Sequence, residues 1–265
     1  MPHYALFYTQ LPLIVLTLLS ITIIDNNCSE EKLKMMTARN VFNKGRLTAK
    51  PATSPFTADF KTGVQPLNLA ERGRDGLLYV PKDYNKNKPA ALAVMLHGAG
   101  GQAEHGLNLI RHYADEKNII LLAPASRGAT WDIIVKDSFD ADVIFIDQAL
   151  TYVLNRYNID TSHISLGGFS DGASYALSLG LGNGDLFTHL IAFSPGFYFT
   201  AENNGKPHVF ISHGVKDEVL PITPCSRRIV PQLQRLGYDV NYLEFNGKHQ
   251  IPNNISASAI KWFLD

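Results

Sequence analysis

Residues 163–181 read HISLGGFSDGASYALSLGL. The opening HISLG suits a short buried strand, and the closing GASYALSLGL is a run of small and apolar residues suited to a closely packed helix. Between them stands Gly168-Phe169-Ser170-Asp171-Gly172, a G-x-S-x-G pattern in the strand–turn–helix setting that exposes a nucleophilic serine. The turn is sharp, so the flanking positions must be small for the helix to pass close to the strand. Chance alone would supply roughly 0.1 such patterns in a chain of this length and composition. Most of the weight comes from the strand-to-helix setting.

Outward from this turn the chain keeps alternating. On the amino-terminal side, residues 77–80 (LLYV), 91–96 (ALAVML) and 119–123 (IILLA) read as strands, the last two as continuous apolar runs buried on both faces. Helices are expected over 106–117 and 141–157. On the carboxyl-terminal side, strands are expected at 190–193, 209–212 and 239–245, the last alternating like an edge strand, with helices at 224–236 and 255–264. Strands alternating with 10–15-residue helices predict βαβ units, hence an α/β fold with a mostly parallel sheet and helices on both faces. The stretch 194–208, between two strands, is too short to hold a cap domain.

In such sheets reactive groups gather in the loops at the carboxyl ends of the strands. A serine hydroxyl needs a base, and the base needs an orienting carboxylate. The loop after strand 209–212 reads HGVKD and brings Asp217; the loop after the next strand reads NGKH and brings His249. The order Ser170, Asp217, His249 is the one this architecture uses. Backbone N–H donors for an oxyanion are expected from Asp171 and from the loop His97-Gly98-Ala99-Gly100-Gly101, with Ala99 favoured and Gly100 the alternative. Gly100 and Trp131 are also candidates for substrate contact, Trp131 because it lies in the long segment 124–140; the alternative for Trp131 is packing of that segment. His97 reads as structural, and His213 as a buried neighbour of Asp217 and the main rival base. Glu218 is the rival acid on the same loop. His105, His112, His163, His189 and His208 fall away from the active edge. Nothing in the sequence suggests a metal or another cofactor, and Gly98–Gly101 lacks the features of a nucleotide-binding loop.

Taken together, the strand running into HGAGG, the GFSDG turn, HGVKDEVLP and the late His249 resemble an α/β-hydrolase. More narrowly they are similar to the phospholipase/carboxylesterase group and to polyhydroxybutyrate-depolymerase-like esterases. The resemblance covers about residues 74–265. It implies a carboxylic-ester hydrolase of the EC 3.1.1 type with nucleophile Ser170, acid Asp217 and base His249; the short 194–208 stretch adds an open, shallow groove suited to short-acyl esters or thioesters, cleaved through an acyl-enzyme. A serine peptidase of the same fold and a non-catalytic acyl-ligand-binding module are the alternatives.

The chain has 265 residues, with 24 Lys+Arg against 24 Asp+Glu and only two cysteines, Cys28 and Cys225. A chain of this length buries enough surface to fold without disulfides. Its neutrality removes the electrostatic basis for binding nucleic acid, and a small-molecule ester is the expected partner. Three parts are expected: a hydrophobic leader at 1–34, an irregular arm at 35–76 and the catalytic domain at 77–265. Residues 1–24 contain no Asp, Glu, Lys or Arg, and 11–24 read LPLIVLTLLSITII. Two readings stand for this leader: an export signal or membrane anchor, or upstream sequence preceding a cytoplasmic protein that starts at Met35 or Met36. In the first, membrane contact is through the leader alone. Oligomeric state is left open.

Overall fold

The computed structural model of the chain describes residues 40–52, 60–70 and 73–265; the leader lies outside them. Eight strands form one sheet: β1 (Gly63–Pro66), β2 (Gly76–Val80), β3 (Ala90–Leu96), β4 (Ile119–Pro124), β5 (Ile159–Phe169), β6 (His189–Phe193), β7 (His208–Gly214) and β8 (Val240–Phe245), in the order β1-β2-β4-β3-β5-β6-β7-β8. β1 and β2 pair antiparallel, as do β2 and β4, and every other neighbouring pair is parallel. The helices include α1 (Ala103–Asn108), α2 (Ala114–Lys117), α3 (Asp132–Lys136), α4 (Ala141–Leu154), α5 (Asp171–Leu181), α6 (Ser226–Arg235) and α7 (Asn253–Leu264).

The continuous apolar runs are explained by burial on both faces. Along β3, Leu92, Val94 and Leu96 pack with Val143 of α4, Ala176 of α5 and Ile229 of α6 in one core. The alternate residues Ala91, Ala93 and Met95 pack with Leu107 of α1 and Ile260 and Phe263 of α7 in a second core. Period two along the strand therefore divides β3 between two cores, one on each face of the sheet. The connection from β6 to β7 contains no helix and only one isolated bridge, Gly184 with Gly205. No described helix is long and apolar enough to cross a membrane.

Three elements differ from expectation. The 35–76 arm is not wholly irregular: Gly63–Pro66 forms edge strand β1 against β2. This strand is only four residues long, and its Pro66 removes an N–H, which an edge position tolerates. Further back, Leu47 and Ala49 are buried, and Asp147 of α4 accepts from Thr48 N–H (2.6 Å), Thr48 Oγ1 (2.6 Å) and Ala49 N–H (2.8 Å). The helix expected at 106–117 is broken, because Ile110 leaves helical geometry at φ −139° and is fully buried there. A short helix, α3, occupies part of the 124–140 segment.

His163, His189 and His208 stand near the amino-terminal ends of adjacent strands, with neighbouring ring centroids 6.1 and 5.4 Å apart. The outer two bond Asp160 (2.8 Å) and Asp239 (3.0 Å). Burial first, then the His208 and His163 rings, push His189 down to about 4 from an ordinary 6.5. The unfolded chain therefore binds the extra proton between these values, so this contribution is complete above pH 6.5 and is lost as pH falls towards 4. After allowance for solvent screening the loss is about 1–2 kcal/mol, or roughly 3–6 °C in Tm. His189→Gln should flatten the fall in Tm between pH 6.5 and 4; an unaltered slope would count against this account.

Candidate active site

Ser170 joins β5 to α5 with φ 57° and ψ −121°. A non-glycine residue holds a positive φ like this only where its surroundings enforce it. Both flanking glycines do so: a Cβ at Gly168 would lie 2.5 Å from the carbonyl of Gly172, and one at Gly172 would lie 2.4 Å from Leu96 O. The helix therefore approaches the strands at a distance that no side chain permits. Ser170 N–H donates to Phe193 O at the end of β6 (2.9 Å), which fixes the turn at the carboxyl edge of the sheet. On its other side Ser170 faces the loop after β3, where a Cβ on Gly98 would meet Ser170 Cβ at 3.4 Å.

The loops after β7 and β8 bring Asp217 and His249 together. His249 Nδ1 donates to Asp217 Oδ2 at 2.6 Å. Asp217 Oδ1 accepts from the N–H groups of Leu220 (2.8 Å) and Val219 (3.0 Å). Burial opposes ionisation of Asp217, but the hydrogen bonds from His249 and from these two amides outweigh it and hold the carboxyl below its ordinary value. With its proton on Nδ1, the His249 ring presents a free lone pair on Nε2. The ring lies over Phe169, the residue before Ser170, with centroids 4.6 Å apart. Ser170 Oγ makes no hydrogen bond among the described residues; such bonds often tighten only when substrate is present.

The rival groups are otherwise engaged. His213 is fully buried; its Nε2 donates to Leu220 O (2.8 Å) and its Nδ1 meets Ser226 Oγ (2.7 Å), so neither nitrogen is available as a base. Burial lowers its pKa below the ordinary value, against the opposing pull of the Leu220 carbonyl and the Asp217 carboxylate. Glu218 points outward, 3.9 Å from Lys248 Nζ. His97 has a structural part: Nδ1 donates to Gly98 O (2.7 Å) and Nε2 accepts from Ser126 N–H (3.0 Å).

The two loops expected to supply oxyanion donors flank Ser170. Asp171 begins α5, where the first amides have no partner within the helix. Of the alternatives in the other loop, Gly100 N–H already donates to Ala129 O (2.8 Å), whereas Ala99 N–H has no backbone partner among the described residues. Trp131, a candidate for substrate contact, is fully buried. Its Nε1 donates to His97 O at 2.9 Å, and its ring packs between His97 and Tyr175. Trp131 therefore supports the His97–Gly101 loop from beneath and does not line a pocket, because a large ring in this position satisfies both its apolar body and its N–H in the core. The sequence reading missed Thr130, whose Oγ1 donates to Asp171 Oδ2 (2.6 Å), and Asp142, which is buried with Asp132; no motif marks either of them.

The chain is 30% identical over 167 residues to a probable feruloyl esterase C of Aspergillus flavus, a match spanning 60% of this chain and 59% of that protein. It is 31% identical to the probable feruloyl esterase C of Aspergillus oryzae over the same shares. The chain thus spans about three-fifths of the length of these relatives. No family model matches. Among solved structures, an S-formylglutathione hydrolase from Staphylococcus aureus superposes with a TM-score of 0.61 at 15% identity, covering 79% of this chain and 100% of that one. A ferulic acid esterase from the anaerobic fungus Anaeromyces mucronatus gives a TM-score of 0.56 at 19% identity, covering 83% and 97%. At these identities the likeness shows the fold.

Proposed function

We propose that this chain, an α/β-hydrolase by its fold, is a serine-dependent carboxylic-ester hydrolase. The observation that carries the reading is the His249–Asp217 hydrogen bond of 2.6 Å beside a serine held at φ 57°. Ser170 Oγ attacks the ester carbonyl while His249 Nε2 takes its proton. Asp217 holds the imidazole in the required tautomer and stabilises its positive charge. The N–H groups of Ala99 and Asp171 receive the developing oxyanion. The alcohol leaves with the proton from His249, and a water activated by the same imidazole then cleaves the acyl-enzyme.

Two features bear on the substrate. The β6–β7 connection lies along α5, held by Gly196 N–H to Ser174 Oγ and Phe199 N–H to Ser178 Oγ, both at 2.9 Å. It leaves Phe199 exposed, and Val219, two residues from Asp217, is exposed as well. An uncapped site with apolar side chains on its neighbouring loops suits a short acyl or aromatic acyl ester presented on a larger molecule. The feruloyl esterase relatives support the aromatic class. A panel of p-nitrophenyl acetate, p-nitrophenyl octanoate, methyl ferulate and an acetyl thioester is expected to give the highest kcat/KM on methyl ferulate or the acetyl substrates. Preference for the octanoate would refute the short or aromatic acyl reading, and hydrolysis of none would refute the esterase reading itself.

A further inference from the structure

The segment 126–132 touches both elements that bear the proposed oxyanion donors. Ser126 N–H and Trp131 Nε1 hold His97, at its Nε2 (3.0 Å) and its carbonyl (2.9 Å). Ala129 O receives Gly100 N–H at 2.8 Å. Thr130 Oγ1 reaches across to the Asp171 carboxylate at 2.6 Å. One short stretch of chain thus fixes the loop carrying Ala99 and the first turn of α5 relative to each other.

That stretch is itself fixed at both ends by one buried carboxylate. Asp142 Oδ1 accepts from Arg127 N–H (2.5 Å), and its Oδ2 accepts from Asp132 N–H (2.7 Å). Asp132 returns the contact, its Oδ2 accepting from Asp140 N–H (2.8 Å) and Asp142 N–H (2.9 Å). Each aspartate therefore caps the amino terminus of the other's helix, where backbone donors lack partners and negative charge is favoured. Residues 128–131, between the two points held by Asp142, include three of the four that contact the donor-bearing elements, and the fourth, Ser126, directly precedes the first of those points. Both carboxyl groups are almost fully buried, and burial pushes Asp142 up to about 6. Bringing two carboxylates this close out of water is costly, which argues that they fix something specific.

The geometry points to Asp142, reciprocally capped with Asp132, as a positioning residue for the oxyanion site: it sets the separation of the Ala99 and Asp171 amides through segment 126–132 without touching substrate. This rests on the esterase reading above. Displacement of a donor by about 1 Å costs up to about 100-fold in rate, and the cost falls on the charged transition state.

Asp142→Asn keeps the shape but presents an amide donor to an N–H. It should lower kcat by roughly 10–100-fold with KM within about twofold. The inhibition constant of phenylboronic acid, whose serine adduct is tetrahedral and anionic, should rise by a similar factor. Asp147→Asn is the comparison: Asp147 lies on the same helix, is also buried, and among the described residues accepts only from Thr48 and Ala49. It should lower Tm to a similar extent and leave kcat within about twofold. If Asp142→Asn does not fold, Thr130→Val removes one link of the segment to Asp171 and should lower kcat, and Thr130→Ser should restore it. Wild-type turnover with an unaltered kcat in Asp142→Asn, or in Thr130→Val if Asp142→Asn does not fold, would overturn the positioning role alone. A wild type without ester turnover would overturn both this inference and the esterase reading.

Discussion

Ser170→Ala is expected to lower kcat for p-nitrophenyl acetate on the order of 10⁵–10⁶-fold while the protein stays folded. The size follows from covalent catalysis: without the hydroxyl there is no acyl-enzyme, and the remaining base and donors leave only the residual rate that binding and the oxyanion site supply. Stability should move little, because alanine inherits the same strained backbone at φ 57°. Ser170→Gly separates the two effects. It should be equally inactive yet more stable, by about 1 kcal/mol or roughly 2–4 °C in Tm, since glycine adopts this φ without penalty. Inactive and stabilised together would mean that the protein holds strain at this turn in order to expose the nucleophile. An active alanine variant would remove Ser170 from the chemistry.

Asp217→Asn should cost about 10⁴ in kcat with an intact fold. An asparagine oxygen can still accept from the Val219 and Leu220 amides, as Asp217 Oδ1 does, so the loop keeps its shape. Its amide nitrogen, however, then faces His249 Nδ1 at the position where the carboxylate accepts at 2.6 Å. Two donors cannot share that contact, so the imidazole moves its proton to Nε2 and loses the lone pair that takes the serine proton. Steady-state rates at pH 7.5 give the size of the effect, and ¹⁵N chemical shifts of the His249 ring report the tautomer. A large rate loss with Nδ1 still protonated would mean that Asp217 acts through charge and not orientation. A loss under tenfold would point to a different acid.

Much of this arrangement was legible in the sequence. Strands β3 and β4 are buried on both faces, so they read as unbroken apolar runs at 91–96 and 119–123. Ser170 was legible because a close-approach turn admits only small residues, and the structure leaves no room for a Cβ at Gly168 or Gly172. Asp217 and His249 followed from their order and from loops after adjacent strands, now found 2.6 Å apart. What escaped has a common cause. β1 pairs through its backbone at an edge, with alternating half-buried and exposed side chains and no apolar run. The Asp132 and Asp142 caps bind backbone N–H groups, contacts that impose no spacing on the sequence. Trp131 stood equally for packing or for substrate contact until its burial decided for packing. The Gly100 amide is taken by a carbonyl distant in sequence, Ala129 O, which leaves Ala99 as the proposed donor.

Activation of Ser170 for covalent attack underlies every step of the proposed mechanism. Its most direct test is labelling of the intact protein with a fluorophosphonate, followed by peptide mass mapping. The expected result is a single stoichiometric adduct on Ser170, slowed by orders of magnitude in His249→Ala. An adduct on any other residue, or none under conditions where the protein is folded, would contradict it.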